Sequence, residues 1–415
     1  MPKRPLRIAF WGNFGTGNWG NECTLQAIIH NTRRRVPDAE LSCFCFNPDD
    51  TLRRHGLPSF PISSLRVRTG NGDAPVRNGG PLRVLRRLSD EARIWRETLA
   101  LARRADIIVM AGTGMITDSG EGAMGMPYDM FKLSLAAKAT GRKLMFASVG
   151  VEAIRSPRAR FFITTALRLA DYRSYRDHQS KERLEKIGFA VASDPVLPDL
   201  AFSLPGSMAG ERSGLSGRGA AKATIGVGLY DHRGRGLGSP SDAAAYRQYI
   251  DKIASFAMWL LERGHPIRII IGDLTYDEPV LEDLRVALAS RGIAAYAGLY
   301  EDEPARSVEQ VMDQLASLDF LIASRFHNVL LALMLGKPVV SVSYNEKNDA
   351  LMALMGMGEY CRSIEAFEVD WLMDRVDDVE RNGARLRPRI VEKAAQFRDE
   401  LDKQYGVLFG ERAPK

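Results

Sequence analysis

The feature that most constrains this chain is the repeated alternation of short apolar runs with helical patterns and glycine-rich turns. In the first half, the predicted strands are Leu6 to Trp11, Leu41 to Phe46, Ile107 to Met110, Leu144 to Ser148 and Tyr172 to Tyr175. In the second half, they are Thr224 to Leu229, Ile267 to Ile271, Phe320 to Ala323 and Val339 to Val342. Apolar strands that alternate with helices are typical of parallel sheets covered by helices. The pattern therefore predicts an α/β fold with mostly parallel sheets.

Between Leu204 and Ala223 periodicity gives way to glycine, serine and small residues, which is typical of a linker. We therefore predict two Rossmann-like domains, an N-terminal one over residues 1–205 and a C-terminal one over 224–383, joined by a linker at 206–223. A charged helical pattern predicts a C-terminal helix and tail over 384–415.

Composition excludes several classes of protein. The 57 lysines and arginines exceed the 51 acidic residues by six, and this excess is spread along 415 residues, so it does not indicate nucleic-acid binding. The four cysteines show no metal or disulfide spacing. The longest apolar region, residues 319–344, is interrupted by charged residues and cannot span a membrane, and the basic start has too short an apolar stretch for a signal peptide. We expect a cytoplasmic protein.

One segment is locally basic. It runs from Ser63 to Pro81 and is followed by Arg83, Arg86 and Arg87. Two interpretations stay open: a solvated loop and helix face, or a patch that contacts an anionic lipid headgroup or a lipid-linked substrate at the cytoplasmic face of the membrane.

A glycine- and asparagine-rich loop, Gly12 to Glu22, follows the first strand and opens a helix. It matches the dinucleotide fingerprint G-x-G-x-x-G, but it contains a bulky tryptophan and lacks an acidic residue at the expected spacing. Free N–H groups at a helix start also suit hydroxyls or a phosphate. We name Asn13, Gly17 and Asn18 as candidate acceptor-binding residues; an NAD site or a plain tight turn are the alternatives.

A second loop, Ala111 to Gly120, follows the third predicted strand and should lie at the same sheet edge. Gly114 is a further candidate for substrate binding, and Asp118 could bind or deprotonate a hydroxyl. A helix cap or turn is the alternative role of Asp118.

The most informative stretch reads Ser-Arg325-Phe-His327-Asn328 between a buried strand and an apolar helix predicted from His327 to Leu335. An arginine at a helix start can form a fork to a carboxylate or phosphate, and the helix N-terminus adds N–H donors. It also disfavours the imidazolium form, so His327 should be neutral until an anion arrives, which suits a general acid or base. The alternative is a capping histidine beside a surface arginine.

Together these motifs resemble the polysaccharide pyruvyl transferase family. The resemblance rests on the Gly12 to Glu22 and Gly112 to Asp118 loops, Tyr175-Arg176-Asp177 and, above all, Ser324-Arg325-Phe-His327 through Gly336-Lys-Pro338 to Lys347. It implies a glycosyltransferase-B-like fold whose two domains face a cleft. It also implies transfer of the carboxyethylidene unit of phosphoenolpyruvate to two hydroxyls of a sugar in an exopolysaccharide or cell-wall glycan precursor.

Under this resemblance, Arg325, Arg176 and Asn328 bind phosphoenolpyruvate, and His327 protonates its methylene carbon while Glu22 or Asp118 assists the attacking hydroxyl. We expect phosphoenolpyruvate as co-substrate with no cofactor and no metal, and a sugar or lipid-linked oligosaccharide as acceptor. The sequence carries no signal for an oligomeric state. The alternatives are a nucleotide-sugar-dependent glycosyltransferase of the same fold and a non-catalytic partner in polysaccharide assembly.

Overall fold

The computed structural model describes residues 4–62, 81–119, 122–206 and 222–410, with only the backbone for 81–88. Most of the predicted linker, 206–223, lies outside these ranges, as do the basic segment Ser63 to Gly80 and the side chains of Arg83, Arg86 and Arg87. Among the described residues, none of the helices is both long enough and apolar enough to cross a bilayer.

The described residues form two compact units. The first combines the chain up to Thr16 with Thr24–Leu200 and the segment from Glu400 onward; the second combines Gly17–Cys23 with Ala201–Asp399. The domain ranges predicted from the sequence stay predictions. The assignment of Gly17–Cys23 to the second unit reflects tertiary contacts, which composition does not reveal.

The first unit is built on a six-stranded parallel sheet with strand order β3-β2-β1-β4-β5-β6. Its strands are β1 Arg7–Trp11, β2 Glu40–Cys45, β3 Ser59–Pro61, β4 Ile107–Ala111, β5 Lys143–Val149 and β6 Tyr172–Tyr175. Its helices are α1 Trp19–Arg35, α2 Pro48–His55, α3 Pro81–Ala102, α4 Met126–Ala139, α5 Pro157–Leu169 and α6 His178–Lys186. The start of α1 belongs to the second unit.

The second unit repeats this architecture, with strand order β12-β11-β10-β7-β8-β9 in a parallel sheet. Its strands are β7 Ile225–Gly228, β8 Ile267–Ile270, β9 Tyr300–Glu301, β10 Phe320–Ala323, β11 Val339–Ser343 and β12 Cys361–Ser363. Its helices are α7 Pro240–Glu262, α8 Leu274–Ala289, α9 Val308–Ser317, α10 Phe326–Met334, α11 Glu346–Leu354 and α12 Val369–Phe409, whose end belongs to the first unit.

Two parallel six-stranded sheets confirm the predicted α/β fold class. The nine strands predicted from apolar runs are all present, with ends that agree or differ by one residue. The three strands that the sequence analysis missed, β3, β9 and β12, have two or three residues each and lie at sheet edges. Strands of two or three residues are too short to show an apolar alternation, which becomes visible only over about four to eight residues.

The strand order places the predicted motifs at corresponding points. In each sheet the order reverses between two central strands, β1 and β4 in the first unit and β7 and β10 in the second. Ligands of doubly wound sheets bind outside the carboxyl ends of the strands at this switch point. Both predicted glycine loops follow β1 and β4, and the Arg325-x-His327 motif follows β10.

Lys337, in the turn between α10 and β11, anchors this part of the second unit. Its ammonium is buried and donates hydrogen bonds to the carbonyls of Ala316 and Leu318, at 2.8 and 2.6 Å, at the C-terminal end of α9. Positive charge at a helix C-terminus is favourable. Burial nevertheless lowers the pKa of Lys337 to about 8.

This burial predicts a specific pH dependence. Between about pH 8 and 10 the unfolded state binds more protons than the folded state at Lys337, so the free energy of unfolding should rise with pH. Relative to the Lys337→Met variant, the wild type should gain about 1–2 kcal/mol across this window in chemical denaturation. The exposed Lys403→Met variant is the control and should show no such pH-dependent difference; a flat Lys337→Met difference would contradict the prediction.

Candidate functional site

The centre of the candidate site is the turn from β10 into α10. Arg325 is the N-cap residue with extended backbone, φ −64° and ψ 124°, and Phe326 begins the helix. The chain passes from the apolar strand β10 into the buried helix α10 through this polar turn. The side chains of Arg325 and His327 therefore lie at the start of the helix. The predicted helix over His327 to Leu335 is confirmed with a shift of one residue.

Arg325 is held by a buried carboxylate. Its Nε and Nη2 atoms donate to Asp277 in α8, with distances of 3.0 Å from Nε to Oδ2 and 2.6 Å from Nη2 to Oδ1. Asp277 is fully buried and also accepts the backbone N–H groups of Gly272, Asp273 and Asp231. Nη1 of Arg325 makes no hydrogen bond within the described residues. Burial alone would lower the pKa of Arg325, but Asp277 raises it, so the guanidinium stays charged.

Two tyrosines and a lysine extend this cationic centre. The Cζ atom of Arg325 lies 4.9 Å from the ring centre of Tyr230, which stacks on Tyr344 at 4.2 Å and an interplanar angle of 18°. The Nζ atom of Lys347 lies 5.4 Å from the ring centre of Tyr344. Burial raises the pKa of Tyr230, so its hydroxyl stays neutral. The arrangement concentrates two cations around a stacked aromatic pair.

The segment Gly17–Cys23 packs on the loop between β8 and α8 within the same unit. Asn18 donates to Asp273 Oδ2 at 2.8 Å, and the backbone N–H of Trp19 donates to the carbonyl of Gly272 at 3.0 Å. The N–H of Leu274 in turn donates to the carbonyl of Gly17. These bonds form an antiparallel bridge between Asn18 and Asp273. The predicted candidates Gly17 and Asn18 are therefore brought beside the residues that hold Arg325.

The structure explains why the segment has a glycine at position 20. A Cβ atom built on Gly20 would lie 1.9 Å from Nδ1 of His327, so the first turn of α1 contacts the imidazole directly. Only a residue without a side chain permits this approach. The third glycine of the apparent dinucleotide fingerprint thus makes room for a histidine. Glu22, one helical turn from Asn18, is fully buried.

Asn328 is the buried polar residue of α10. Its side chain is 1% exposed, and both its amide atoms have no hydrogen-bond partner among the described residues. It lies against Gly272 and Gly228, whose added Cβ atoms would come 3.0 Å from Oδ1 and 3.5 Å from Nδ2. A buried amide without partners is costly, and a polar group placed beside it would gain hydrogen bonds.

The remaining predicted site residues belong to the first unit. The guanidinium of Arg176 is buried against Gly150 and Gly114 and pairs with Asp199 at 3.4 Å. Asp118 accepts the backbone N–H groups of Arg155 and Ser156 at 2.9 and 2.6 Å, which ties its loop to the start of α5. Asn13 follows the end of β1 in the chain and is half-buried. The catalytic and binding roles named for all these residues stay predictions.

Sequence reasoning missed Asp277, Tyr230 and the pairing role of Asp273. The available signal was a strand followed by Gly-Asp-Leu-Thr-Tyr-Asp, with two aspartates four residues apart at a helix start. That spacing places both on one helix face. The described residues contain no group of three or more His, Cys, Asp or Glu side chains placed to hold a metal ion.

A sequence model of the polysaccharide pyruvyl transferase family matches residues 18–346, from the loop before α1 to the start of α11. The chain therefore belongs to the polysaccharide pyruvyl transferase family, which is a family of transferase enzymes. None of the curated proteins compared with the chain matches it significantly.

Solved structures with the same architecture include UDP-GlcNAc 2-epimerases. The enzyme from Neisseria meningitidis bound to UDP-GlcNAc has a TM-score of 0.57 and 10% identity, with 96% of this chain and 97% of that chain covered. The enzyme from Methanocaldococcus jannaschii has a TM-score of 0.56 and 12% identity, with 90% and 92% covered. At such low identity the likeness shows the fold alone, which is glycosyltransferase-B-like.

The contact between Gly20 and His327 predicts the effect of one methyl group. Gly20→Ala should displace the His327 ring and lower the free energy of unfolding by about 1–3 kcal/mol, because an added carbon must push either the ring or the helix start aside. A crystal structure and denaturant unfolding of the variant test this. Gly298→Ala, where an added Cβ meets nothing within 4 Å, is the matched control. If the imidazole and the start of α1 both kept their positions in Gly20→Ala, the contact would be refuted.

The buried ion pair predicts a large loss of stability from Asp277→Asn. The variant leaves Arg325 charged and unpaired, so we expect a cost of about 3–5 kcal/mol in denaturant unfolding. Removing both charges in Asp277→Asn with Arg325→Met should cost less than the sum of the single changes. Glu368→Gln, which breaks an exposed pair with Lys252, is the control and should cost below about 1 kcal/mol. Additive single effects would contradict the ion pair.

Proposed function

We propose that this chain transfers the carboxyethylidene group of phosphoenolpyruvate to two hydroxyls of a sugar in an exopolysaccharide or cell-wall glycan precursor, and releases phosphate. The observation that carries the proposal is the guanidinium of Arg325, held by Asp277 at the start of α10 beside His327. Family membership supplies the class of reaction.

The donor requires this kind of centre. Phosphoenolpyruvate carries a carboxylate and a phosphate, and both are recognised by arginine forks and helix N-terminal N–H groups. Asp277 binds the edge of the Arg325 guanidinium that consists of Nε and Nη2. The Nη1 group is left to donate to an anion. The buried amide of Asn328 is a further donor beside it. Arg176 of the first unit is proposed as a second cation for the donor.

In the proposed reaction His327 donates a proton to the methylene carbon of phosphoenolpyruvate, which makes the adjacent carbon electrophilic. One sugar hydroxyl adds to that carbon and gives up its proton to a carboxylate, for which Glu22 and Asp118 are the candidates. The second hydroxyl then displaces the phosphate, which leaves with the second proton. Two C–O bonds to the sugar and one C–H bond form, while the C=C π bond and one C–O bond to phosphate break, without an oxidant or a reductant. The proton taken up by the carboxylate replaces, through solvent, the one that His327 gave to the methylene carbon.

Other groups complete the proposal. Asn13, Gly17, Asn18 and Gly114 are proposed to contact the acceptor, whether free or lipid-linked. The cations at the site are proposed to neutralise the leaving phosphate, so the reaction needs no cofactor and no metal. We place this activity in the cytoplasm or at the cytoplasmic face of the membrane, where sugar precursors are assembled.

Ligand-dependent thermal unfolding tests the donor. Phosphoenolpyruvate at about a hundred times its dissociation constant should stabilise the protein by about 2.7 kcal/mol, a shift of a few degrees in Tm. Arg325→Lys keeps a charge beside Asp277 but loses the fork, so it should lose this shift. The exposed Arg381→Lys variant is the control. A response to UDP-GlcNAc, the ligand named for one structural neighbour, without a response to phosphoenolpyruvate would overturn the proposal.

Turnover tests the role of His327. Aryl hexosides that present neighbouring or 1,3-related hydroxyls serve as acceptors, and phosphate release from phosphoenolpyruvate is measured. His327→Ala should lower kcat by about a hundredfold or more, the scale of a positioned acid, with the fold retained. His178→Ala, at an exposed histidine, should be unaffected. A His327→Ala enzyme with wild-type turnover would remove this residue from the mechanism.

A further inference from the structure

We propose that the outer face of α3, α4 and α5 in the first unit docks on an anionic lipid bilayer. The face is defined by five aromatic side chains and is called the aromatic face below: Trp95, Tyr128, Phe131, Phe161 and Phe162. The face belongs to the first unit and the Arg325 centre to the second, and none of the five aromatic side chains has a role in the proposed reaction.

The aromatic face is one continuous cluster of rings. Phe131 lies at its centre, with ring centres 6.5 Å from Trp95, 6.2 Å from Tyr128, 5.8 Å from Phe161 and 4.9 Å from Phe162. Three helices therefore contribute to a single surface. Its members pack against one another, so the cluster is ordered before any partner arrives.

The cluster is partly open to solvent. Phe161 is 58% exposed, and the other four rings are half-buried. Met124, in the turn before α4, is 58% exposed as well. An exposed aromatic ring on a cluster of half-buried rings forms an apolar patch, and such patches mark interaction sites. Tyr128 has a polar partner, because its hydroxyl donates to Glu91. Aromatic rings with one polar end are the residues that concentrate at membrane interfaces.

Exposed arginines lie close to the rings along the same helices. Arg96 follows Trp95 in α3, and Arg158 and Arg160 precede Phe161 in α5; all three are exposed. None of them forms an ion pair with an acidic side chain in the part of the chain that the structure describes. Exposed apolar side chains beside unpaired cations match the combination that binds anionic lipids: rings enter the interface, and arginines contact the headgroups.

This charge pattern favours a bilayer over a second copy of the chain. A symmetric dimer through the aromatic face would bring the same arginines of two molecules to one interface, where like charges repel. Anionic headgroups neutralise them instead. The face would thereby hold the enzyme at the surface where a lipid-linked acceptor resides; this last consequence rests on the proposed function.

Vesicle flotation of the full chain tests the docking. We expect binding to vesicles in which about a third of the lipid is phosphatidylglycerol, weak binding to phosphatidylcholine alone, and release by high salt. Arg158→Glu with Arg160→Glu should weaken binding at least about tenfold, because each basic residue near the surface contributes strongly. Phe161→Ser should weaken it by a similar factor.

The controls keep charge and polarity changes matched. Arg385→Glu with Arg389→Glu makes the same charge change at exposed positions of α12, and Val286→Ser makes an exposed apolar side chain polar in α8. Both should bind as the wild type does. Circular dichroism melts check that every variant folds.

Equal loss of binding in the α12 control would overturn the proposal, because it would show that only net charge matters. Unchanged vesicle binding in Phe161→Ser, together with a change from dimer to monomer in sedimentation, would overturn it in favour of self-association. Because vesicle binding is measured without substrate, its failure is distinct from a failure of the phosphoenolpyruvate reaction.

Discussion

The buried ion pair between Arg325 and Asp277 organises the second unit around its functional centre. A fully buried carboxylate is tolerated only when its oxygens are saturated with donors, and Asp277 achieves this with one guanidinium and three backbone N–H groups. Those donors come from the turns after β7, β8 and β10. A single carboxylate therefore fixes three loops at the carboxyl edge of the sheet. The position of Arg325, and with it that of His327 two residues later, follows from this arrangement.

The close approach of Gly20 to His327 is a second contact between residues that are distant in the sequence. In the sequence the glycines after β1 match a dinucleotide fingerprint, where each would serve a phosphate or a tight turn. In the structure Gly15 and Gly17 have positive φ angles of 76° and 75°, as the turn requires, whereas Gly20 provides space for an imidazole. The same spacing thus arises from a different physical demand. A glycine motif shows that a side chain is not tolerated at a position. It does not show whether a ligand, a turn or another side chain occupies the space.

Both units share one strand order, and each presents its loops at a switch point. Structures with UDP-GlcNAc 2-epimerase activity share this architecture at 10–12% identity. Such a scaffold supports unrelated reactions, because the chemistry depends on side chains in the turns rather than on the strands. In this chain the turn after β10 carries the arginine and histidine on which the sequence resemblance to the transferase family rests, so the turn, and not the likeness of fold, supports the proposed reaction.

The sequence by itself determined the α/β class, the nine longer strands and the helix that begins at the Arg-x-His motif, because apolar periodicity and helix-end signals act over neighbouring residues. It also pointed to Arg325, His327, Gly17 and Asn18 as residues at strand ends. Only the tertiary structure decided that Asp277 holds Arg325, that Gly20 faces His327 and that Gly17–Cys23 joins the second unit. These pairs lie 48 to more than 250 residues apart in the chain. Local sequence patterns do not indicate which distant groups come into contact when the chain folds.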